Sequence, residues 1–140
     1  MSQENVDVVR AIIAAAETGD WDTAIKAFDP EVQLDQTRLP GGGVYKGFTG
    51  VWSFYEKWFG SWEEFRIDSQ GVIAVPDGRV LSLDRVSGRG RRSGVEVAME
   101  TANVYTLRNG KIIQMTGYPA RSEALEALGL SEQDAHADSS

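Results

Sequence analysis

Cysteine is absent from this chain of 140 residues, and histidine occurs once, at His136 in the polar ending AHADSS. Without cysteine the chain forms neither a disulfide nor a thiolate metal site, and it has no thiol nucleophile. A single histidine in a polar tail is a poor candidate for a general base or a zinc ligand. We therefore expect a function that uses no metal and no cofactor.

Positive charge is also scarce, because 14 basic residues face 21 acidic ones and leave a net charge of -7. This balance argues against a nucleic-acid partner, whose phosphates attract basic proteins. No apolar run reaches the length of a membrane span, and the start MSQENVDVVR lacks the features of a signal peptide. We expect a cytoplasmic protein without membrane contact, with one domain over residues 1–130 and a disordered tail over 131–140.

The first half of the chain carries helical patterns. Apolar residues recur at helical spacing from Val6 to Ala16, and Asp20 can cap a short second helix. A third helix begins near Thr49. Its aromatic residues are Trp52, Phe54, Tyr55, Trp58 and Phe59.

Strand patterns dominate the second half. Alternation predicts strands over residues 31–38, 62–73 with a bulge near Gly71, and 79–88. The strongest signal is a last hairpin over residues 94–118, which turns at Asn109-Gly110. One alternate set of its first strand is mostly apolar and is predicted to face inward. This inner row is Val95, Val97, Met99, Thr101, Asn103, Tyr105 and Leu107.

The order of these elements predicts an α+β fold. We expect a cone-shaped, curved sheet of about five strands, antiparallel or mixed, covered by three helices from the N-terminal half. A short C-terminal helix follows, closed by Gly129. The open end of such a cone is a natural ligand pocket.

Several segments together carry a family resemblance: SQENVDVVRAII, GDWDTAIKAFDPEVQL, YKGFTGV, GRGRRSGVEV and VYTLRNGKIIQMTGYPARSEALEALGLSE. Through their order and spacing, residues 3–132 resemble a SnoaL-like protein of the nuclear transport factor 2-like superfamily, which has a cystatin-like fold. The resemblance implies a small-molecule pocket of the polyketide cyclase kind. The superfamily also includes a steroid isomerase and limonene epoxide hydrolase, so the resemblance does not select one reaction.

The isomerase arrangement is incomplete in this chain. The resemblance places Gln36 at the position of the catalytic base, Ile12 at that of the tyrosine, and Asn103 at that of the acidic donor. Gln36 cannot abstract a proton and Ile12 cannot donate a hydrogen bond, whereas Asn103 can still donate to a carbonyl or an oxyanion. Steroid-type isomerisation is therefore disfavoured.

The epoxide hydrolase arrangement keeps only its arginine, because the resemblance puts Ser87 and Gly117 where that enzyme has two acids. The retained Arg85 shares a strand face with Leu81 and Leu83, which we expect to be the pocket face. An inward guanidinium favours an anionic or carbonyl-bearing ligand, so Arg85→Ala is expected to abolish anion binding. The alternatives are a structural arginine or one on the surface.

The predicted site combines these residues with others of suitable chemistry. Asp35 becomes the possible base if a bulge turns it inward in place of Gln36; otherwise it is an exposed acid. Arg85 and Asn103 are candidate electrophilic donors, and Tyr105 is a candidate acid. The candidate substrate-binding residues are Gln36, Tyr45, Trp58, Met99 and Met115.

Three functions are compatible with this site. The first is an acid–base isomerase, cyclase or hydratase that acts on a small apolar ligand with a carbonyl or carboxylate. The second is a non-catalytic ligand carrier. The third is an interaction module, in which the outer sheet face forms a homodimer through Val104, Ile112 and Tyr118, a dimer that is compatible with all three functions.

Overall fold

The computed structural model describes residues 2–40 and 42–131; His136 and the predicted disordered tail, apart from Ser131, lie outside these residues. Four helices are present: α1 (Ser2–Thr18), α2 (Trp21–Ile25), α3 (Gly47–Gly60) and α4 (Arg121–Leu128). Six strands are present: β1 (Phe28–Asp35), β2 (Val44–Lys46), β3 (Trp62–Val75), β4 (Arg79–Gly90), β5 (Glu96–Arg108) and β6 (Lys111–Tyr118). No helix among the described residues is long and apolar enough to cross a membrane.

The strands form one mixed sheet in the order β2-β1-β6-β5-β4-β3. Strands β1 and β6 are parallel, whereas the other neighbours are antiparallel. The predicted α+β class with a mixed sheet is confirmed. The sheet has six strands rather than about five, because the three-residue strand β2 is too short to show an alternating pattern in the sequence.

Turn chemistry in the last hairpin follows the prediction. Asn109 and Gly110 have φ angles of 53° and 76°, which is the left-handed pair that an Asn-Gly hairpin turn uses. The predicted bulge is also present, since the β3–β4 register shifts between Ser69 and Gly71. Such a bulge bends its strand and increases the local twist of the sheet.

The inner face of the sheet packs against α1, α2 and α3. Phe28, Val32 and Leu34 of β1 are fully buried there, together with Val9 of α1 and Val51 of α3. Asp20 caps α2 as predicted, because its side chain accepts a hydrogen bond from the backbone N–H of Thr23 at 3.3 Å. The helices and the inner face therefore enclose one large core.

The outer face of the sheet has a second core, which α4 covers. Leu81 and Leu83 of β4 pack there with Val104 of β5 and with Ala124 and Leu125 of α4. Gly129 ends α4 with a φ of 71°, as expected for a left-handed cap. Strand β4 is therefore buried on both faces over residues 80–84, which matters for the site described below.

The residues expected to form a dimer interface pack mainly against other residues of the same chain. Val104 is buried in the outer core, and Tyr118 packs against the same core. Ile112 lies in the inner core instead, because the β5–β6 register shifts between Thr106 and Leu107 and reverses the facing of β6 at that point. These three residues do not form an exposed apolar patch on the outer face.

Candidate functional site

A row of buried polar side chains crosses the inner face of the sheet. Strand register pairs Ser82 with Asn103 and Asp84 with Thr101, so two short polar residues of β4 lie opposite two of β5. All four side chains are buried. Since inner faces are otherwise apolar, this row is the most unusual feature of the core.

Asp84 is the only buried carboxylate among the described residues and is 5% exposed. Its Oδ2 accepts a hydrogen bond from the Ser82 hydroxyl at 2.9 Å. Burial raises the pKa of Asp84 to about 6, although the hydrogen bond from Ser82 and the nearby Ser69 hydroxyl act in the opposite direction. A carboxyl group with this pKa changes protonation state close to neutral pH, as acid–base chemistry requires.

Tyr105 lies on the same face, two residues beyond Asn103 along β5. Burial raises its pKa well above the ordinary value of 10.0, and the nearby charge of Asp84 raises it further, while Ser82 lowers it. The phenol therefore stays protonated and can act as a hydrogen-bond donor.

Gln36 follows the last residue of β1 and is 1% exposed. Its side chain lies over Gly117 of β6, where an added Cβ would be 3.0 Å from the Gln36 Cδ. Gly117 in turn pairs with Asn103. The absence of a side chain at Gly117 therefore lets the Gln36 amide reach the polar row beside Asn103.

Three buried polar atoms of this group have no hydrogen-bond partner among the described residues. They are Nε2 of Gln36, Oδ1 of Asp84 and Oδ1 of Asn103. Buried polar atoms in folded proteins are nearly always paired, and an unpaired one costs about 1–3 kcal/mol. Their convergence at one place is typical of a site that hydrogen-bonds a ligand.

These side chains line a cavity of about 80 Å³. Its polar wall contains Gln36, Asp84, Thr101, Asn103 and Tyr105. Its other walls are apolar and come from α1, α3, β3 and the residues around them: Ile12, Ile13, Ala16, Leu39, Phe54, Tyr55, Trp58, Phe59, Phe65, Ile67, Val86 and Met115. A buried carboxyl group and two amides therefore lie in an apolar enclosure.

Asp35 does not reach this cavity. Its Oδ1 accepts hydrogen bonds from the backbone N–H of Thr37 at 3.1 Å and from the Thr37 hydroxyl at 2.7 Å. Its Oδ2 pairs with Arg38 at 3.4 Å. The Thr37 hydrogen bonds hold the pKa of Asp35 below its ordinary value, so the carboxylate organises the loop after β1 and the inward bulge does not form.

Arg85 also lies outside the cavity, and the expectation that it faces the pocket is wrong. It is exposed on the outer face, between Asp68 of β3 and Glu100 of β5. The error follows from the double burial of β4. Leu81 and Leu83 mark the face covered by α4, whereas Val80 and Val86 mark the inner face.

The other predicted residues lie in or near the cavity. Gln36, Trp58, Asn103, Tyr105 and Met115 line it. Tyr45 lines an adjoining cavity, and Met99 lies farther along β5 against Trp58 and Trp62. These are positions only, and they leave the roles of the residues as predictions.

Asp84 is the residue that the sequence analysis missed. The signal was its spacing. Ser82 and Asp84 are polar residues two positions apart on β4, as Thr101 and Asn103 are on β5. Pairing these polar residues across the two neighbouring strands predicts that Asp84 faces inward. No group of three or more metal-ligating side chains occurs among residues 2–40 and 42–131.

The fold and this geometry define an α+β protein with a polar row on the inner face of a mixed sheet. The SnoaL-like domain model matches residues 9–115, so the chain belongs to the SnoaL-like family, as the resemblance indicated. Comparison with curated protein sequences gives no match.

Solved structures of similar fold include Bal32a from a soil-derived mobile gene cassette, which is 22% identical with a TM-score of 0.76 over 91% of this chain and 97% of that chain. TerC, co-crystallized with polyporic acid, is 19% identical with a TM-score of 0.73 over 89% and 97%. An LEH-like epoxide hydrolase from M. tuberculosis is 16% identical with a TM-score of 0.69 over 91% and 90%. At these identities the likeness shows the fold alone.

Proposed function

We propose that the protein is a cofactor-independent acid–base enzyme that acts on a small, largely apolar ligand with a carbonyl group. The observation that carries the proposal is the buried Asp84, whose Oδ1 is unpaired at the same cavity as the Gln36 and Asn103 amides. Similarity to an epoxide hydrolase and to a protein co-crystallized with an organic acid supports chemistry on small organic molecules in this fold.

Each group has a distinct role in the proposed reaction. The Asp84 carboxylate takes a proton from the carbon next to the ligand carbonyl, and the Gln36 Nε2 donates a hydrogen bond to the carbonyl oxygen as it gains negative charge. The protonated Tyr105 and the Nδ2 group of Asn103 supply further donors, whereas the unpaired Oδ1 of Asn103 is an acceptor. Return of the proton from Asp84 to another carbon of the delocalised enolate completes an isomerisation. In a cyclisation, the enolate instead forms a carbon–carbon bond to a second carbonyl in the same molecule, and the resulting alkoxide takes the proton from Asp84.

The base can be tested without knowing the natural substrate. The probe is 5-nitrobenzisoxazole, a flat apolar molecule in which a carboxylate removes the ring C–H proton, the N–O bond breaks and a coloured cyanophenolate forms. We expect the wild-type rate to rise with pH, to be half-maximal at about pH 6 and to level off at higher pH, because only the ionised Asp84 accepts a proton. Asp84→Asn should lower the rate by at least about 100-fold.

Asp35→Asn is the matched control, because it removes an aspartate that does not line the cavity. It should retain the wild-type rate and pH profile. Equal rates for wild type and Asp84→Asn would exclude Asp84 as the base.

A ligand carrier is the second candidate function. It is favoured by the two cavity amides, because amides orient a ligand but do not move protons at ordinary pH. In that case aromatic ketones would bind and protect the protein against thermal unfolding, while 5-nitrobenzisoxazole would be converted no faster than in Asp84→Asn.

A further inference from the structure

A second cavity of about 170 Å³ adjoins the site. Four residues line both cavities: Gln36, Leu39, Phe54 and Trp58. Neither cavity alone reaches the roughly 300 Å³ at which pockets for drug-sized ligands begin. A longer ligand that reaches Asp84 can extend past Leu39 and Trp58, which line both cavities, into this outer cavity.

The outer cavity differs from the inner one in its charge. Its aromatic lining includes Tyr45 and Trp62, and its one charged lining residue among those described is Lys57. The Lys57 side chain is exposed and forms no salt bridge within the described residues. An isolated cation at the rim is notable in a chain with a net charge of -7.

The two cavities together restrict where a negative charge on the ligand can lie. In the inner cavity an anion would meet the buried carboxyl group of Asp84, and like charges at a buried site repel strongly. At the outer rim an anion would meet Lys57, with solvent still available to it. For a carbonyl-bearing, anionic ligand that spans these two cavities, the favoured orientation therefore has the carbonyl in the inner cavity and the anion at the outer rim.

We propose that the ligand is elongated and polar at both ends, with its carbonyl group in the inner cavity and a carboxylate or similar anion paired with Lys57. The inference rests on the proposed function in placing the carbonyl beside Asp84. It deepens that function by naming the substrate class, an aryl or alkyl ketone that carries an acidic group at the far end.

Lys57 also lies in the last turn of α3, where a cation is favourable for the helix dipole. That role alone predicts a small loss of thermal stability when Lys57 is replaced, and no change in which ligands bind. Ligand preference therefore separates the two roles.

The test uses ω-(4-acetylphenyl)alkanoates of increasing chain length, each beside its neutral primary amide, and measures their dissociation constants by calorimetry. For the best chain length, wild type should bind the carboxylate about three- to fivefold more tightly than the amide, as expected for an exposed ion pair. Lys57→Gln should abolish this preference, and Lys57→Glu should reverse it. Lys26→Gln, which removes an exposed lysine that lines neither cavity, should keep it.

The inference is overturned if no member of the series binds, if the acid and the amide bind equally to wild type, or if Lys57→Gln keeps the preference. The 5-nitrobenzisoxazole rates of wild type and Asp84→Asn test the proposed function independently of this binding series. A carboxylate preference that depends on Lys57, without any rate that depends on Asp84, would support the charged subsite and contradict the proposed catalysis.

Discussion

The end of β1 and the middle of β4 each carry an aspartate beside a second polar residue, but the two aspartates face in opposite directions. At β1 the amide of Gln36 points inward and Asp35 points outward. At β4 the acid Asp84 points inward and Arg85 points outward. The protein therefore turns one acid and one amide toward the inner face, and it turns one acid and one base away from it.

The two aspartates start from the same ordinary pKa of 3.8 and are moved in opposite directions. Hydrogen bonds from Thr37 stabilise the charged form of Asp35, whereas burial destabilises the charged form of Asp84. An aspartate next to the position at which the resemblance places the base is therefore not a base by location alone. What matters is whether its surroundings leave it able to bind a proton near neutral pH.

The largest effect that separates the two aspartates should be the pH dependence of folding stability. Well below the ordinary pKa of 3.8, Asp84 is protonated in both the folded and the unfolded chain, so its burial costs little. As pH rises from about 4 to about 6, the unfolded chain ionises Asp84 before the folded protein does. Wild type therefore loses up to about 3 kcal/mol of folding stability relative to a chain without this acid, and the loss levels off above about pH 6. Urea unfolding at pH 4, 5, 6 and 7 should therefore show Asp84→Asn gaining stability over wild type as pH rises.

Asp35 should have the opposite sign. Its lowered pKa stabilises the folded state above about pH 4, and that contribution is lost as pH falls. Asp35→Asn should therefore be less stable than wild type at neutral pH and should approach it in acid. A stability difference between Asp84→Asn and wild type that stays constant with pH would contradict the burial of the charge.

The inward facing of Gln36 can be tested through Gly117. Gly117→Ala places a methyl group against the Gln36 side chain, and overpacking of this kind costs about 1–3 kcal/mol. The same substitution should cost less in a Gln36→Ala background, because the obstructing amide is gone. Denaturant unfolding of the two single variants and the double variant measures this coupling.

Gly71→Ala is the control, since a Cβ at Gly71 meets no atom within 4 Å and no left-handed φ is required there. It should change stability by no more than about 0.5 kcal/mol. Additive effects of Gly117→Ala and Gln36→Ala would show that the amide does not lie over Gly117.

Strand β5 shows what the sequence pattern was able to predict. One alternate set of its residues is mostly apolar, and the turn at Asn109-Gly110 marks where the strand ends. The positions of Thr101 and Asn103 on the inner face therefore followed from local information. Tyr105 followed from the same alternation.

Strand β4 shows what the pattern could not predict. Its inner face packs on the helices of the first half of the chain, while α4 covers Leu81 and Leu83 on the outer face. Alternation identifies the inner face only when the other face is polar. The placement of Gln36 is similarly non-local, because it depends on the parallel pairing of β1 with β6 and on Gly117.

The smallest effect is expected at Arg85, the residue that strand alternation first placed in the pocket. Its side chain is exposed, with Asp68 and Glu100 on the neighbouring strands, and exposed charge pairs contribute about 0–1 kcal/mol. Arg85→Ala should therefore leave the 5-nitrobenzisoxazole rate and the acetylphenylalkanoate affinities unchanged. It should shift the free energy of unfolding by no more than about 0.5 kcal/mol. Loss of carboxylate binding in Arg85→Ala, with the preference retained in Lys57→Gln, would return the anion site to Arg85 and reverse the facing assigned here to β4.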